Sequence, residues 1–317
     1  MHAAFLDFAT LGDGIDDASL RNATSAYQRF ETTSAAELVA RCQGLDAVFT
    51  NKCRFDAATF QALPDLKYIG LTATGSDGVD LAAAAEAGVA VCNITAYCTQ
   101  SVVQHVFAVL LSLTHQLPQF SQAIADGQWQ KHDAFCLLDF PIRELAGLKF
   151  GIVGYGELGQ AVGRVAEALG MQLLIAARQG TEPAAGRVSL DALWRDADVI
   201  SLHCPLNPAT TNLVNAATLA HMKPTAILIN TARGGLVDAN ALAAALRTGQ
   251  IAGAAIDVLD KEPPDADHPL LDSSIPHLLV TPHIAWAARE ARQRALDQTA
   301  EHFTAFLAGN RSNRLDP

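Results

Sequence analysis

Residues 148–170 read LKFGIVGYGELGQAVGRVAEALG, and they contain a strong signal for one type of fold. An apolar β-type run leads into the glycines Gly154, Gly156 and Gly159, and a helical segment follows. The first glycine permits a tight turn, the second lets the backbone approach a pyrophosphate, and the third lets the helix pack on the strand. The sequence therefore predicts a strand–turn–helix unit that binds a dinucleotide. The alternative is that the glycines serve only a tight turn.

The second strand of this unit, MQLLIAA (171–177), ends without the acid that would bind the ribose 2′-hydroxyl of NAD. Ala177 takes that place, and Arg178 follows it. A carboxylate there would repel a 2′-phosphate, whereas an arginine can hold one by charge-assisted hydrogen bonds. We therefore expect NADPH (NADP) as the preferred cofactor, with NADH as the alternative. Arg178 could instead stack on adenine or lie in solvent.

Short β-type runs alternate with helical runs on both sides of the 117–147 region. This alternation predicts an α/β protein with two Rossmann-like domains, each a doubly wound parallel sheet. The cofactor domain (99–284) would be inserted into a substrate-binding, flavodoxin-like domain (1–98 plus 285–317).

Residues 117–147 differ in composition from the rest of the chain, with several aromatic residues and no sustained hydrophobic periodicity. We interpret them as an arm plus a loop. The stretch from Phe120 to Phe140 has too much apolar surface for a solvated loop, so the sequence predicts a homodimer.

Composition excludes several classes of partner. Of the 317 residues, 22 are Lys or Arg and 33 are Asp or Glu, so the formal net charge is −11. Nucleic acid and anionic membranes are therefore not expected as partners. The opening MHAAFLDFATLGDG lacks a basic start followed by an apolar stretch, so we expect a cytoplasmic protein. The six cysteines show no metal-binding spacing, and we expect no metal site.

Three residues of the cofactor domain each follow a β-type run, where an open α/β sheet places its ligands. They are Arg233 after TAILIN, Glu262 after AGAAIDV and His283 after HLLVT. Each has a plain alternative, as a turn residue, a solvated loop acid and a core histidine respectively. Together they supply the cation, the acid and the proton carrier that reduction of a 2-keto acid needs.

The ordered series of motifs resembles the D-2-hydroxyacid dehydrogenases over essentially the whole chain. The glycine turn is followed by SLHCPL (201–206), NTARGGLVD (230–238), AAIDVLDKEPP (254–264) and TPHIAW (281–286). Four further stretches are similar to the glycerate dehydrogenase (hydroxypyruvate reductase) branch: FLDFATLG (5–12), TNK (50–52), TAYCTQSVVQHVF (95–107) and DGQW (126–129).

The resemblance implies a role for each matching residue. Arg233 would bind the substrate carboxylate and polarise the carbonyl, His283 would donate the proton, and Glu262 would hold the imidazole and keep it protonated near neutral pH. Asp257 would hydrogen-bond the nicotinamide carboxamide. The other candidate cofactor contacts are Tyr155, Glu157, Leu158, His203, Cys204, Pro205, Thr231 and Ala232. The substrate-binding candidates of the first domain are Lys52 and the backbone of Ala73, Thr74, Gly75 and Ser76. The alternative for Lys52 is a solvated lysine without a role in binding.

One departure affects the substrate. The branch usually carries an ATGYN-like loop, whereas this chain has ATGSDGVD (73–80), so the substrate pocket is expected to be wider or altered. The expected function is NAD(P)H-dependent reduction of small 2-keto acids such as hydroxypyruvate or glyoxylate to D-glycerate or glycolate. The alternatives are a dinucleotide-sensing regulatory protein of the same fold and a reductase for D-lactate or bulkier 2-keto acids.

Overall fold

The computed structural model describes residues 1–315 and divides the chain into two compact units. Unit 1 comprises Met1–Cys98 together with the chain from Ala287 onward, and unit 2 comprises Thr99–Trp286. The second boundary thus follows residue 286, where the sequence analysis placed it after residue 284. The roles assigned to the two domains remain predictions.

Unit 1 is built on a parallel sheet. Its strands are β1 (His2–Phe5), β2 (Ala26–Arg29), β3 (Ala47–Thr50), β4 (Tyr68–Leu71) and β5 (Ala90–Cys92). Their order is β2-β1-β3-β4-β5, which is the flavodoxin-like order. Strand β2 is not predicted from the sequence because this edge strand, AYQR, has mostly exposed residues and no apolar run.

Unit 2 is built on a second parallel sheet. Its strands are β6 (Lys149–Val153), β7 (Gln172–Ile175), β8 (Val199–Leu202), β9 (Ile227–Asn230), β10 (Gly253–Ile256) and β11 (Leu278–Val280). Their order is β11-β10-β9-β8-β6-β7, so the direction of winding reverses between β6 and β8. Ligands of open α/β sheets bind at the carboxyl ends of the strands around such a switch point. The predicted α/β fold with two Rossmann-like sheets is confirmed.

Helices connect the strands. In residues 1–315 they are α1 (Ala18–Ala23), α2 (Ala35–Cys42), α3 (Ala57–Ala62), α4 (Leu81–Glu86), α5 (Thr99–Thr114), α6 (Leu117–Ala125), α7 (Glu157–Ala168), α8 (Leu190–Asp196), α9 (Ala216–His221), α10 (Ala239–Arg247) and α11 (Arg289–Leu307). A search of these residues for a helix long and apolar enough to cross a membrane found none.

Residues 117–147, interpreted from the sequence as an arm plus a loop, include one α-helix and one 3-10 turn. Leu117–Ala125 forms α6, and Trp129–Lys131 forms a 3-10 turn. Proline is tolerated in the first turn of a helix because its missing N–H would have no helical acceptor there, and Pro118 lies in the first turn of α6.

One of the core clusters of unit 1 forms where α11 covers the sheet. The Phe303 ring lies 5.1 Å from the rings of both Phe49 on β3 and Tyr68 on β4, and all three side chains are fully buried. Burying an aromatic side chain of this size stabilises a fold by roughly 1.5–3 kcal/mol. The C-terminal helix is therefore an integral part of unit 1.

Candidate active site

Most site residues predicted in unit 2 follow the carboxyl end of a strand. Gly154 follows β6, Ala177 follows β7, His203 follows β8, Arg233 follows β9, Asp257 and Glu262 follow β10, and His283 follows β11. Because neighbouring strands are parallel, these ends lie along one edge of the sheet. The fold thus brings to one edge residues that lie far apart in the sequence.

The glycine turn closes tightly at the switch point. Gly154 has a φ of +96°, and a Cβ atom there would lie 2.5 Å from backbone atoms of His203 and Cys204. Both observations exclude any residue with a side chain. At Gly156, by contrast, a Cβ atom would meet no atom within 4 Å, so this side of the turn is open to a ligand. This is the cradle that a pyrophosphate needs.

The remaining glycine of the motif fixes α7 against the turn. A Cβ atom on Gly159 would lie 2.1 Å from the carbonyl oxygen of Gly154, so only glycine allows this packing. The side chain of Glu157, in the first turn of α7, accepts a hydrogen bond from the Thr99 hydroxyl. That carboxylate therefore points toward α5, and any contact of Glu157 with a cofactor would come from its backbone.

A cavity of about 800 Å³ extends from this turn along the ends of β6, β7 and β8. Seven of the predicted cofactor residues line it: Gly154, Tyr155, Gly156, Ala177, Arg178, Cys204 and Pro205. The other seven do not: Glu157, Leu158, Gly159, His203, Thr231, Ala232 and Asp257. Arg187 also lines the cavity. It was not predicted as a site residue because it belongs to no glycine or strand-end motif.

Two polar side chains after β8 and β9 differ in whether they have a partner. The imidazole of His203 lies 2.8 Å from the Ser201 hydroxyl, and burial lowers the pKa of His203 to about 4. His203 is therefore neutral at pH 7. The hydroxyl of Thr231 is buried and has no hydrogen-bond partner in residues 1–315. An unpaired buried hydroxyl is costly, so Thr231 fits a residue that awaits a ligand group.

The turn that carries Arg233 is organised by Asn230, the fully buried last residue of β9. The Asn230 amide accepts a hydrogen bond from the Ala232 N–H (3.0 Å) and donates one to the Arg233 carbonyl (2.9 Å). The Arg233 side chain is exposed, and it forms an ion pair with no carboxylate of residues 1–315. One guanidinium nitrogen donates to the Ala232 carbonyl (2.8 Å), and the other donors are available to a carboxylate ligand.

Gly234 joins this turn to the loop that carries Glu262. A Cβ atom on Gly234 would lie 1.9 Å from the carbonyl carbon of Leu259 and 2.2 Å from the nitrogen of Asp260. The two backbones therefore touch at this point. The residues after Arg233 and the residues before Glu262 form one packed layer.

The side chains of Glu262 and His283 form a hydrogen-bonded pair. The His283 Nδ1 atom lies 2.6 Å from Oε2 of Glu262, while Oε1 accepts a hydrogen bond from the Leu259 N–H (2.8 Å). An ionised carboxylate can only accept, so Nδ1 carries the hydrogen and Nε2 is left to exchange a proton. His283 has a φ of +55°, and its N–H donates to the Asp257 carbonyl (2.8 Å). His283 therefore has an uncommon backbone conformation, which this hydrogen bond helps to hold.

The Asp257 carboxylate accepts hydrogen bonds from residues on both sides of His283. Its side chain is 1% exposed. It accepts hydrogen bonds from the Thr281 hydroxyl (2.5 Å) and from the N–H groups of Ile284 and Ala285 (both 2.9 Å). Because both oxygens are used inside unit 2, this arrangement gives no support to the contact of Asp257 with nicotinamide, which stays a prediction.

Unit 1 carries the candidate substrate residues. The N–H groups of Ala73, Thr74, Gly75 and Ser76 donate to no acceptor in residues 1–315, whereas the carbonyls of Ala73 and Thr74 are used by Ile94 and Asn93. This loop thus has free donors, as a carboxylate site requires.

The turn at Lys52 depends on an acid that the sequence analysis did not single out. Asp7 is 5% exposed and accepts hydrogen bonds from the Thr50 hydroxyl and from the N–H groups of Asn51 and Lys52. The feature of the sequence that could have pointed to Asp7 is that it is the single acid in the apolar run AAFLDF. The Lys52 side chain itself is exposed.

In the part of the chain that the structure describes, no group of three or more His, Cys, Asp or Glu residues could hold a metal ion. The arrangement instead combines a dinucleotide cradle with an unpaired guanidinium and a carboxylate-bound imidazole. Such a set can bind a carboxylate and transfer a proton beside a bound nicotinamide.

Comparison with known proteins identifies relatives along nearly the whole chain. Residues 107–285 match the family described as D-isomer specific 2-hydroxyacid dehydrogenase, NAD binding domain. The chain is 43% identical over 315 residues to a glycerate dehydrogenase of Methylorubrum extorquens, covering 98% of each chain. It is 38% identical over 292 residues to a hydroxypyruvate reductase of Blautia hydrogenotrophica, covering 90% of each.

A solved structure is similar in fold as well as in sequence. The TT0316 protein of Thermus thermophilus superposes with a TM-score of 0.87 at 34% identity. The match covers 99% of this chain and 100% of that one. The similarity therefore extends over both units.

Proposed function

Because the chain belongs to the D-isomer-specific 2-hydroxyacid dehydrogenases, and is thus an oxidoreductase with a nicotinamide dinucleotide cofactor, we propose that it reduces small 2-keto acids. Hydroxypyruvate and glyoxylate are the proposed substrates, and D-glycerate and glycolate the products. Relatives named for glycerate, hydroxypyruvate and glyoxylate support this choice. The observation that carries the proposal is the 2.6 Å pair of His283 and Glu262, in the same layer as the unpaired Arg233.

Each member of this set has a distinct role in the proposal. The Arg233 guanidinium binds the substrate carboxylate with two parallel hydrogen bonds and polarises the adjacent carbonyl. His283 gives the proton on Nε2 to the carbonyl oxygen, while Glu262 holds Nδ1 and stabilises the imidazolium before transfer. The reduced nicotinamide, when bound, supplies the hydride. Thr231 offers the cofactor its unpaired hydroxyl.

We propose NADPH as the preferred cofactor. Ala177 at the end of β7 leaves no carboxylate to repel a 2′-phosphate, and Arg178 lines the same cavity. Thr181 lies beside it, and its hydroxyl donates to the Arg178 carbonyl (2.7 Å). This hydrogen bond stabilises the turn that carries Arg178.

We also propose that the backbone of residues 73–76 binds the substrate carboxylate, supported by the free N–H groups of that loop. Lys52 would add a positive charge. The small Ser76 favours a wider substrate pocket than the ATGYN-like loop would give.

A homodimer and a cytoplasmic location complete the proposal. Six of the eleven exposed large apolar side chains in residues 1–315 lie between positions 117 and 142: Leu117, Ile124, Trp129, Phe135, Leu138 and Ile142. Phe135 is 91% exposed. A concentration of apolar surface of this kind supports an interface with a second copy of the chain.

A panel of 2-keto acids tests the proposed function. Oxidation of NADPH and of NADH is followed with hydroxypyruvate, glyoxylate, pyruvate and a branched keto acid, for wild type and His283→Ala. We expect turnover of hydroxypyruvate and glyoxylate, its loss in His283→Ala, and no change in His221→Ala, which alters an exposed histidine of α9. Tight cofactor binding without turnover of any 2-keto acid would instead indicate a dinucleotide sensor.

A further inference from the structure

A second segment joins the end of β7 beside the cofactor cavity. The Val188 N–H donates to the Ile175 carbonyl (2.9 Å), and the Ala177 N–H donates to the Val188 carbonyl (2.8 Å). Ala176 and Val188 form an isolated parallel bridge. These bonds place residue 187 next to the strand end where an NAD-binding acid is missing.

Arg187 occupies this place, and two contacts hold its guanidinium. One nitrogen donates to the Ala176 carbonyl (2.9 Å), and the guanidinium carbon lies 5.8 Å from the ring centroid of Tyr155, between the first two glycines of the turn. The residue is exposed and lines the cavity. Since a guanidinium has five N–H donors, most of its donors remain free.

The charge around the cavity favours an anion. Arg187 and Arg178 both line it, and within residues 1–315 neither forms an ion pair. Glu182 is the acid among the lining residues, so two cations face one carboxylate. A phosphate monoester, with close to two negative charges and three acceptor oxygens, can use both arginines.

We propose that Arg187 is a ligand of the 2′-phosphate of NADPH and acts together with Arg178. Arg187 supplies a fork that is already fixed by Ala176 and Tyr155, so little side-chain freedom is lost on binding. This inference rests on the proposed preference for NADPH. The rival role, stacking on the adenine ring, would serve NADPH and NADH alike.

Calorimetric titration of the full chain tests this without turnover. Adenosine 2′,5′-bisphosphate and 5′-AMP differ only in the 2′-phosphate, so the ratio of their Kd values isolates that group. We expect Arg187→Ala to weaken binding of the bisphosphate about 10- to 100-fold and to change binding of 5′-AMP less than about threefold. Arg187→Lys keeps the charge without the fork and should be intermediate.

Two controls separate the local effect from charge and folding. Arg164→Ala removes an exposed arginine of α7 that does not line the cavity, so it should leave both Kd values unchanged. Arg187→Gln keeps a donor for the Ala176 carbonyl and removes the charge, so it should weaken binding of the bisphosphate as Arg187→Ala does while preserving the fold.

The outcomes distinguish this inference from the proposed function. If wild type binds the bisphosphate no better than 5′-AMP, both the NADPH preference and this role of Arg187 are wrong, whatever the keto-acid assay shows. If wild type prefers the bisphosphate but Arg187→Ala weakens both ligands equally, Arg187 stacks on adenine and only the inference is overturned. An Arg187→Ala variant that binds both ligands like wild type overturns it as well.

Discussion

Glu262 binds His283 Nδ1 with one carboxylate oxygen, at 2.6 Å, and the Leu259 N–H with the other, at 2.8 Å. The loop backbone therefore orients the Glu262 carboxylate, and the carboxylate in turn orients the His283 imidazole. Because that loop packs against Gly234, the position of the imidazole is coupled to the turn that carries Arg233.

We expect Glu262→Gln to lower kcat about 10²- to 10⁴-fold, with KM changed only a few-fold. The amide can still meet Nδ1, but it carries no charge to stabilise an imidazolium. Steady-state kinetics with hydroxypyruvate measure this, with Glu167→Gln on α7 as the control. A kcat within threefold of wild type would show that the pair has no catalytic role.

Arg233→Lys should lower kcat/KM about 10- to 100-fold, because an ammonium cannot bind a carboxylate through a planar fork. Arg164→Lys, on the outside of α7, provides the matched control and should be silent. Substrate kinetics at saturating cofactor check both variants. Equal rates for Arg233→Lys and wild type would exclude bidentate binding of the substrate.

Gly234→Ala should destabilise the protein by about 3 kcal/mol, since the new methyl group would overlap the backbone of Leu259 and Asp260. Gly235→Ala is the neighbouring control: its Cβ meets only the flexible Leu206 side chain, at 2.9 Å, so a loss below about 1 kcal/mol is expected. Urea unfolding of the three proteins measures the difference. Similar losses for both variants would contradict the close contact at Gly234.

The half-buried imidazole of His203, whose pKa is lowered, predicts a loss of stability in acid. Its folded pKa of about 4 lies below the unfolded value of about 6.5, so between these pH values the unfolded chain binds more protons. The free energy of unfolding should therefore fall as pH drops through this window, by about 1.4 kcal/mol per pH unit at most and roughly 3 kcal/mol in all. This contribution is fully present above pH 6.5.

Urea unfolding from pH 7 to pH 4.5 measures this for wild type and His203→Gln. Carboxylates titrate in both proteins, so the difference between the two curves reports His203. Parallel curves would mean that folding does not lower the pKa of His203.

Replacing both Phe135 and Leu138 by Ser should raise the dissociation constant of the proposed homodimer more than about tenfold. Each substitution removes apolar contact that stabilises the interface by on the order of 1 kcal/mol or more. Leu271→Ser changes a 43%-exposed leucine outside the 117–142 segment and should leave association unchanged. Sedimentation equilibrium over micromolar concentrations is the measurement. A monomeric wild type would refute the interface directly.

Much of unit 2 could be predicted because its signals are local. The glycine turn, the apolar strands and the residues that follow them are adjacent in sequence, so Gly154, Ala177, Arg233 and His283 could be placed at strand ends. The two sheets could be predicted for the same reason. The short edge strand β2 could not, because an exposed strand has no apolar alternation to mark it.

The features that could not be predicted depend on contacts between segments that are separated in the sequence. Arg187 arrives at the end of β7 through the bridge between Val188 and Ala176, which no spacing rule reveals. The contact of Gly234 with Leu259 depends on how two loops meet above neighbouring strands. The hydrogen bonds of Asp257 depend on a backbone folded around it, so a motif alone could not show that its oxygens were occupied.

The strand order of unit 2 separates two properties that evolution can change independently. The loops after β7, β6 and β8 border the cavity proposed for the cofactor, and the loops after β9, β10 and β11 carry the side chains proposed as catalytic. A descendant of this chain could thus exchange one coenzyme for the other by substitutions after β7 alone, while Arg233, Glu262 and His283 stay untouched. Laboratory selection for a new electron donor should accordingly accumulate its changes at positions 177–187 before any appear around the imidazole.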